Sequence, residues 1–232
     1  MLFQRKRSNT EICIKMDENL LERVKEVKYL GVILDENLNW KSHIKYLTSK
    51  ITRASYILSK LRHYVCFSTL KMVYFSLVHP YLSYCISSWG GISKTTLLPL
   101  FRLQKKIVRI ITFSPYDCHS SPLFYQLKIL PLEYIYKYNL ALTFHKINNN
   151  QISTGSHNLV PINQIHKHNT RLSKNNNFFQ PFNRIRLGQT TYSTQGIKFW
   201  RELPIELKNL PFKRFKFNVK QFLLNLLNDT IN

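Results

Sequence analysis

Acidic residues are scarce in this sequence. Its 232 residues include 12 Asp and Glu against 34 Lys and Arg, for a formal charge of +22. Between residues 37 and 201 only Asp117 and Glu133 are acidic, against 22 Lys and Arg. Cysteine is also scarce. Cys13, Cys66, Cys85 and Cys118 are scattered with no CxxC pair, so neither a disulfide framework nor a zinc ribbon is written here. Six Gly and nine Pro exclude collagen and Gly/Pro low complexity. No apolar run approaches the roughly eighteen residues of a membrane span. The opening MLFQRKRSNTE lacks the apolar centre of a signal peptide. The expectation is an intracellular protein, nuclear or cytoplasmic. What the chain does have is apolar content, 44% hydrophobic and 13% aromatic, which excludes a disordered basic tail. Its length allows one large domain or two small ones.

The charge is unevenly spread. Residues 1–36 hold seven bases and seven acids, and residues 202–232 hold five bases and three acids. The one-sided middle repels itself unless an anion meets it, and a phosphate backbone is the commonest such anion. Composition offers a second explanation. Asn (20), Lys (22), Ile (21), Phe (15) and Tyr (13) are all abundant, as an AT-rich coding sequence would make them. That bias favours Lys without selection for binding, but it does not explain the loss of acids from the middle.

Apolar spacing gives the elements. Residues 10–16 alternate as a strand does, and Lys28–Asp35 read as a more buried strand. Ile44, Leu47, Ile51, Ala54, Leu58 and Leu61 recur at helical spacing and predict a helix of about six turns. Ser68 can cap a helix over Thr69–Val78, and Pro80 forces a break or restart. Residues 81–89 continue as a helical segment ending at Gly90-Gly91. A further helix is predicted from Lys94 to Phe113, and Ser121-Pro122 and Leu130-Pro131 read as the starts of two more, the last ending near Asn148. Residues 148–183 hold ten Asn and read as an exposed loop or linker. Residues 184–203 read as a short strand and a short helix. Phe212–Leu227 is amphipathic, with Lys213, Arg214, Lys216 and Lys220 opposite its apolar face. The fold class is α+β, predominantly α.

The chain carries few groups for catalysis. There is no Gly-rich phosphate loop, HExxH, Gly-x-Ser-x-Gly or adjacent Asp-Asp pair. Asp35 follows a strand, where a catalytic acid could stand, but it reads as a turn residue. His63, Cys66, His79 and Cys85 have spacings that zinc tolerates, yet they fall on helices with an apolar Cys face, and buried free Cys is common. Cys118-His119 beside Asp117 has no third partner nearby. Catalytic and metal residues are therefore assigned as none. Tyr56, Tyr64, Tyr74, Tyr81, Tyr84, Trp89 and Phe101 could stack on bases, although aromatics at helical spacing are more often core. The cations are more promising. Arg102, Lys105, Lys106 and Arg109 stand at i, i+3, i+4 and i+7, and no acid occurs between Asn37 and Tyr116.

In combination these segments form a recognisable pattern. Lys28–Asp35, followed by Leu38-x-Trp40-x-x-His43-Ile44, resembles the C-terminal part of LINE-type, jockey-like non-LTR retrotransposon reverse transcriptases. Tyr74, Leu77-x-x-Pro80-x-Leu82-x-Tyr84 and Trp89-Gly90 resemble the family's helical segment after the palm. Leu103-Gln104-Lys105 with Arg109-Ile110-Ile111 resembles its following basic helix. Leu127–Leu132, Gly196, Trp200-x-x-Leu203-Pro204 and Phe215-Lys216 extend the likeness along the whole chain. The resemblance implies that residues 1–36 are the last palm strands and 37–147 a helical thumb-like domain. A linker at 148–183 and a C-terminal subdomain at 184–232 would follow. Met1–Arg7 resembles the segment after the family's aromatic-x-Asp-Asp turn, so the chain is expected to begin inside the palm. The catalytic carboxylates, and the Mg²⁺ they hold in the family, have no matching positions here. No cofactor is expected in this chain.

The resemblance implies a thumb that grips RNA–DNA hybrid or another nucleic acid by its backbone. Lys41, Lys45, Lys50, Arg53, Arg102, Lys105, Lys106 and Arg109 are the phosphate-binding candidates. The missing fingers and palm are the implied protein partner, and no membrane is implied. Strand Tyr29–Leu34 would then lack its neighbours and be an aggregation hazard. Two other readings stand beside the inactive polymerase fragment. One is a domesticated, stand-alone basic RNA- or DNA-binding protein. The other is a helical structural module whose charge is codon bias.

Overall fold

The computed structural model describes residues 15–16, 19–20, 22–152, 159–165 and 177–229. It is predominantly α with short antiparallel strands, as expected. Strands β1 (Lys15–Met16) and β2 (Asn19–Leu20) pair antiparallel. Residues 10–14 of the predicted first strand lie outside the described residues.

The expectation of a single buried strand over Lys28–Asp35 is corrected. Strands β3 (Glu26–Tyr29) and β4 (Val32–Asp35) form an antiparallel hairpin, with Tyr29 opposite Val32. The chain reverses at Leu30 (φ 45°) and Gly31 (φ 80°). Both are positive, as a tight right-twisted hairpin turn demands. The apolar run YLGVIL hid this turn, because its only turn residue is one Gly. Tyr84 secures it by donating its hydroxyl to the Leu30 carbonyl at 2.7 Å. The segment expected to need an outside neighbour thus pairs with the residues just before it. All of β3 is exposed, while β4 buries Val32 and Asp35 against the next helix.

Asp35 ends the hairpin. Its carboxylate accepts the backbone N–H groups of Asn37 (3.1 Å), Asn39 (3.1 Å) and Trp40 (2.9 Å). This is the turn role predicted for it, and it starts helix α1 (Lys41–Leu61). Helix α2 (Phe67–Leu77) begins earlier than expected, with Cys66 rather than Ser68 at its N-cap. Ser68 lies inside the first turn, with its hydroxyl 3.0 Å from the Cys66 thiol. The predicted restart at Pro80 is present as α3 (His79–Ser83), which carries Pro80 in its first turn. The segment 81–89 is not continuous helix. Tyr84 is extended and Cys85 has φ 49°, so α4 (Ile86–Trp89) is a separate turn.

Helices α5 (Lys94–Thr112), α6 (Ser120–Leu127) and α7 (Leu132–Asn148) lie where the sequence puts them. Pro131 is the N-cap of α7, where a missing N–H costs nothing. Helix α8 (Ile162–Ile165) follows, and an isolated bridge joins Pro161 to Phe178. Over 184–203 the described residues form helices α9 (Arg186–Gln189) and α10 (Tyr192–Glu202), with no strand among them. Here tertiary packing decides: Ile197, Phe199 and Trp200 are buried, and α10 packs on α7. Helices α11 (Ile205–Lys208) and α12 (Phe212–Asp229) complete the described residues, α12 packing on α6 and α7.

A single apolar cluster runs from Ile44 to Leu227. Gln104 is a fully buried polar side chain within it. Gln104 on α5 donates Nε2–H to the Tyr74 hydroxyl (3.0 Å) and to the Leu130 carbonyl (2.9 Å), and its Oε1 accepts the Leu132 N–H (2.8 Å). Gln104 therefore closes the start of α7 from a neighbouring helix, satisfying groups that a helix end leaves open.

Candidate nucleic-acid interface

Helices α1 and α5 form the most extensive helix pair among the described residues and, since start meets start and end meets end, run side by side in the same direction. Their starts meet where Lys41, Ile44, Lys45 and Thr48 face Thr95, Thr96 and Pro99 across an open groove of about 460 Å³. Their ends meet where the Arg62 guanidinium lies over the Phe113 ring, 4.7 Å from its centroid. Ser93 caps α5 by accepting the Thr96 N–H at 3.4 Å. Its hydroxyl also lies 2.9 Å from that of Thr95 and 2.8 Å from that of Thr96. The open end of α5 thus presents hydroxyls and positive dipole beside Lys41 and Lys45. Sequence reading missed these hydroxyls, although Ser93 was readable as a cap.

The eight predicted phosphate contacts do not all face the same way. Lys41 and Lys45 are exposed on the groove. Arg102 and Lys106 are exposed and continue the Pro99 row along α5 at i+3 and i+7. These four share one surface. Lys50 lies on another side of α1, where its ammonium and that of Lys28 each sit 5.5 Å from the Tyr46 centroid. Arg53 is exposed. Lys105 is half-buried and lies 4.3 Å over Phe101. Arg109 is half-buried, donates Nε–H to the Cys118 carbonyl at 2.8 Å and lies 5.8 Å over Tyr116. Ion pairs among the described residues are Arg23–Glu36, Lys94–Glu133 and Lys137–Glu133, and none involves the eight.

The aromatic candidates divide. Tyr74 and Trp89 are fully buried core residues, and Tyr81 and Phe101 are half-buried. Tyr56, Tyr64 and Tyr84 are exposed. His43 is buried among Trp40, Tyr46 and Trp89, and burial lowers its pKa, so it is a neutral packing group. Among the described residues no three His, Cys, Asp or Glu side chains converge as a metal site would require. No helix of the described residues is long and apolar enough to cross a membrane.

Two curated relatives match about half of the chain. Over 120 residues it is 30% identical to the RNA-directed DNA polymerase from mobile element jockey of Drosophila funebris, a stretch covering 50% of this chain and 13% of that protein. Over 123 residues it is 28% identical to the probable RNA-directed DNA polymerase from transposon BS of Drosophila melanogaster, covering 52% and 14%. About half of this chain is thus similar to a small part of two RNA-directed DNA polymerases of mobile elements. No family model matches it, and no solved structure does.

Proposed function

We propose that this chain is the nucleic-acid-gripping part of a non-LTR retrotransposon RNA-directed DNA polymerase. It holds the template–primer by its backbone and supplies no catalytic carboxylate. Lys41, Lys45, Arg102 and Lys106 are the central contacts, with Lys50, Arg53, Lys105 and Arg109 flanking them. The supporting observation is the α1–α5 surface, where lysines and arginines from two parallel helices share one side and no acid lines the groove. An RNA–DNA hybrid is A-like, so contacts to shape and phosphate dominate over base reading. On this reading the chain has no cofactor of its own, and Mg²⁺ belongs with carboxylates elsewhere in the polymerase. The palm and fingers that carry them are the protein partner.

The test is hybrid-duplex binding measured across a salt series. Neutralising about five phosphates gives log K a slope of about −4 against log salt. Replacing both Lys45 and Lys106 with Gln lowers that slope by about two, whatever the duplex sequence. Binding that ignores salt, or a slope unchanged in the double variant, removes the proposal.

A further inference from the structure

The basic side of α12 plays no part in the α1–α5 surface. Sequence reading placed Lys213, Lys216 and Lys220 there, opposite the apolar face. In the fold these three lysines line a cavity of about 530 Å³, together with Lys128 and His79. Its walls come from α2, α3, α7 and α12, and none of its lining residues is shared with the groove between α1 and α5. No acidic residue lines it. Lys128 occupies the C-cap of α6, and Lys71 on α2 is close enough to act on Lys220 by charge.

Four ammonium groups around one cavity form an expensive arrangement. Like charges at close range repel, and nothing in the cavity wall offsets them. Lys220 sits deepest of the three α12 lysines. It is half-buried against the Phe75 ring, 5.8 Å from its centroid. Its pKa is lowered by burial and then by Lys71, Lys128 and Lys216. A helix placing surface lysines only for solubility would point them apart into water. Here three lysines spaced over about two turns of α12 line the same hollow. Ser83 and Asn139 also line it, their side chains donating to the His79 and Ile135 carbonyls.

We infer that the cavity between α2–α3, α7 and α12 is a second anion site, built for clustered phosphates. Its volume admits several phosphate groups, and its lysines supply mobile point charges rather than the planar fork that selects a single carboxylate. Clustered phosphates come from two sources, a nucleic-acid backbone or a free polyphosphate such as a nucleotide tail.

Isothermal titration of the full chain with inorganic tripolyphosphate tests the site, with ionic strength held constant by sodium chloride. One tripolyphosphate per chain is expected. Lys216→Gln and Lys220→Met should each weaken it on the order of tenfold. Lys216 is exposed, and Met keeps the Lys220 stem on Phe75, so neither variant threatens the fold. Lys45→Gln with Lys106→Gln should leave tripolyphosphate binding unchanged, which separates this site from the α1–α5 groove. The same variants are then titrated with a single-stranded oligonucleotide. Weaker oligonucleotide binding by Lys216→Gln and Lys220→Met identifies the backbone as the source, and an unchanged value identifies the free polyphosphate. No heat above the chloride control, or loss of tripolyphosphate binding only in the Lys45/Lys106 variant, overturns the inference.

Discussion

Replacing Gln104 with Leu is the sharpest test of how this bundle is held. Gln104 and Tyr74 are both 0% exposed, so water cannot take over a lost contact. The substitution leaves the Leu130 carbonyl, the Leu132 N–H and the Tyr74 hydroxyl without the amide that joins them. An abandoned buried partner costs about 1–3 kcal/mol, and the added apolar surface returns part of that total. A net loss of about 2–4 kcal/mol is expected, a large share of the roughly 5–15 kcal/mol that stabilises a typical protein. Urea unfolding should show a lower midpoint with an unchanged slope. Tyr74→Phe alone removes one of the three contacts and should cost about 1 kcal/mol, but close to nothing when Gln104 is already Leu. If Gln104→Leu unfolds within about 0.5 kcal/mol of the native chain, the claim that this amide joins α2, α5 and α7 is refuted.

Two further outcomes follow from packing and charge. A Cβ on Gly196 would stand 2.0 Å from Phe144 Cε2, so Gly196→Ala should destabilise by about 1–3 kcal/mol in thermal or urea melts, where helix propensity alone predicts a gain of about 1 kcal/mol. Lys208 is 3% exposed, and burial lowers its pKa to about 8. The unfolded chain therefore binds more protons between pH 8 and the ordinary lysine range, and stability should rise across that window by on the order of 1–2 kcal/mol. Lys208→Met should flatten that rise, and a rise of equal size in the variant would assign it to other groups.

The sequence spoke clearly wherever one face of an element is buried. The spacing of Ile44, Leu47, Ile51, Ala54 and Leu58 marks α1 because those residues are its inner face. The same holds for Leu100, Ile107 and Ile111 on α5 and for Phe215, Val219 and Leu223 on α12. The hairpin stayed hidden because its turn falls inside an apolar run and relies on Leu30 accepting positive φ. A short helix was legible within 184–203 and is present at 192–202, but where a strand was read beside it the described residues form the helical turn Arg186–Gln189. The candidate interface was half legible. Spacing within α5 grouped four cations, but only the packing of α5 on α1 decides which of them share a side with Lys41 and Lys45.

That packing divides the eight cations by a physical criterion. Lys50, Lys105 and Arg109 each lie over an aromatic ring, and Arg109 also holds a backbone carbonyl. Their charge is partly engaged inside the protein, and moving them onto a phosphate would forfeit those contacts. Among the described residues, Lys41, Lys45, Arg53, Arg102 and Lys106 have neither an ion pair nor a ring beneath them. Four of those five stand along the same two parallel helices, on the side where the groove opens. Codon bias toward lysine would scatter uncommitted charge over the surface without regard to how α1 meets α5. Concentration on one shared side is instead what contact with a continuous anion requires, because only adjacent cations can release adjacent counterions from the same backbone.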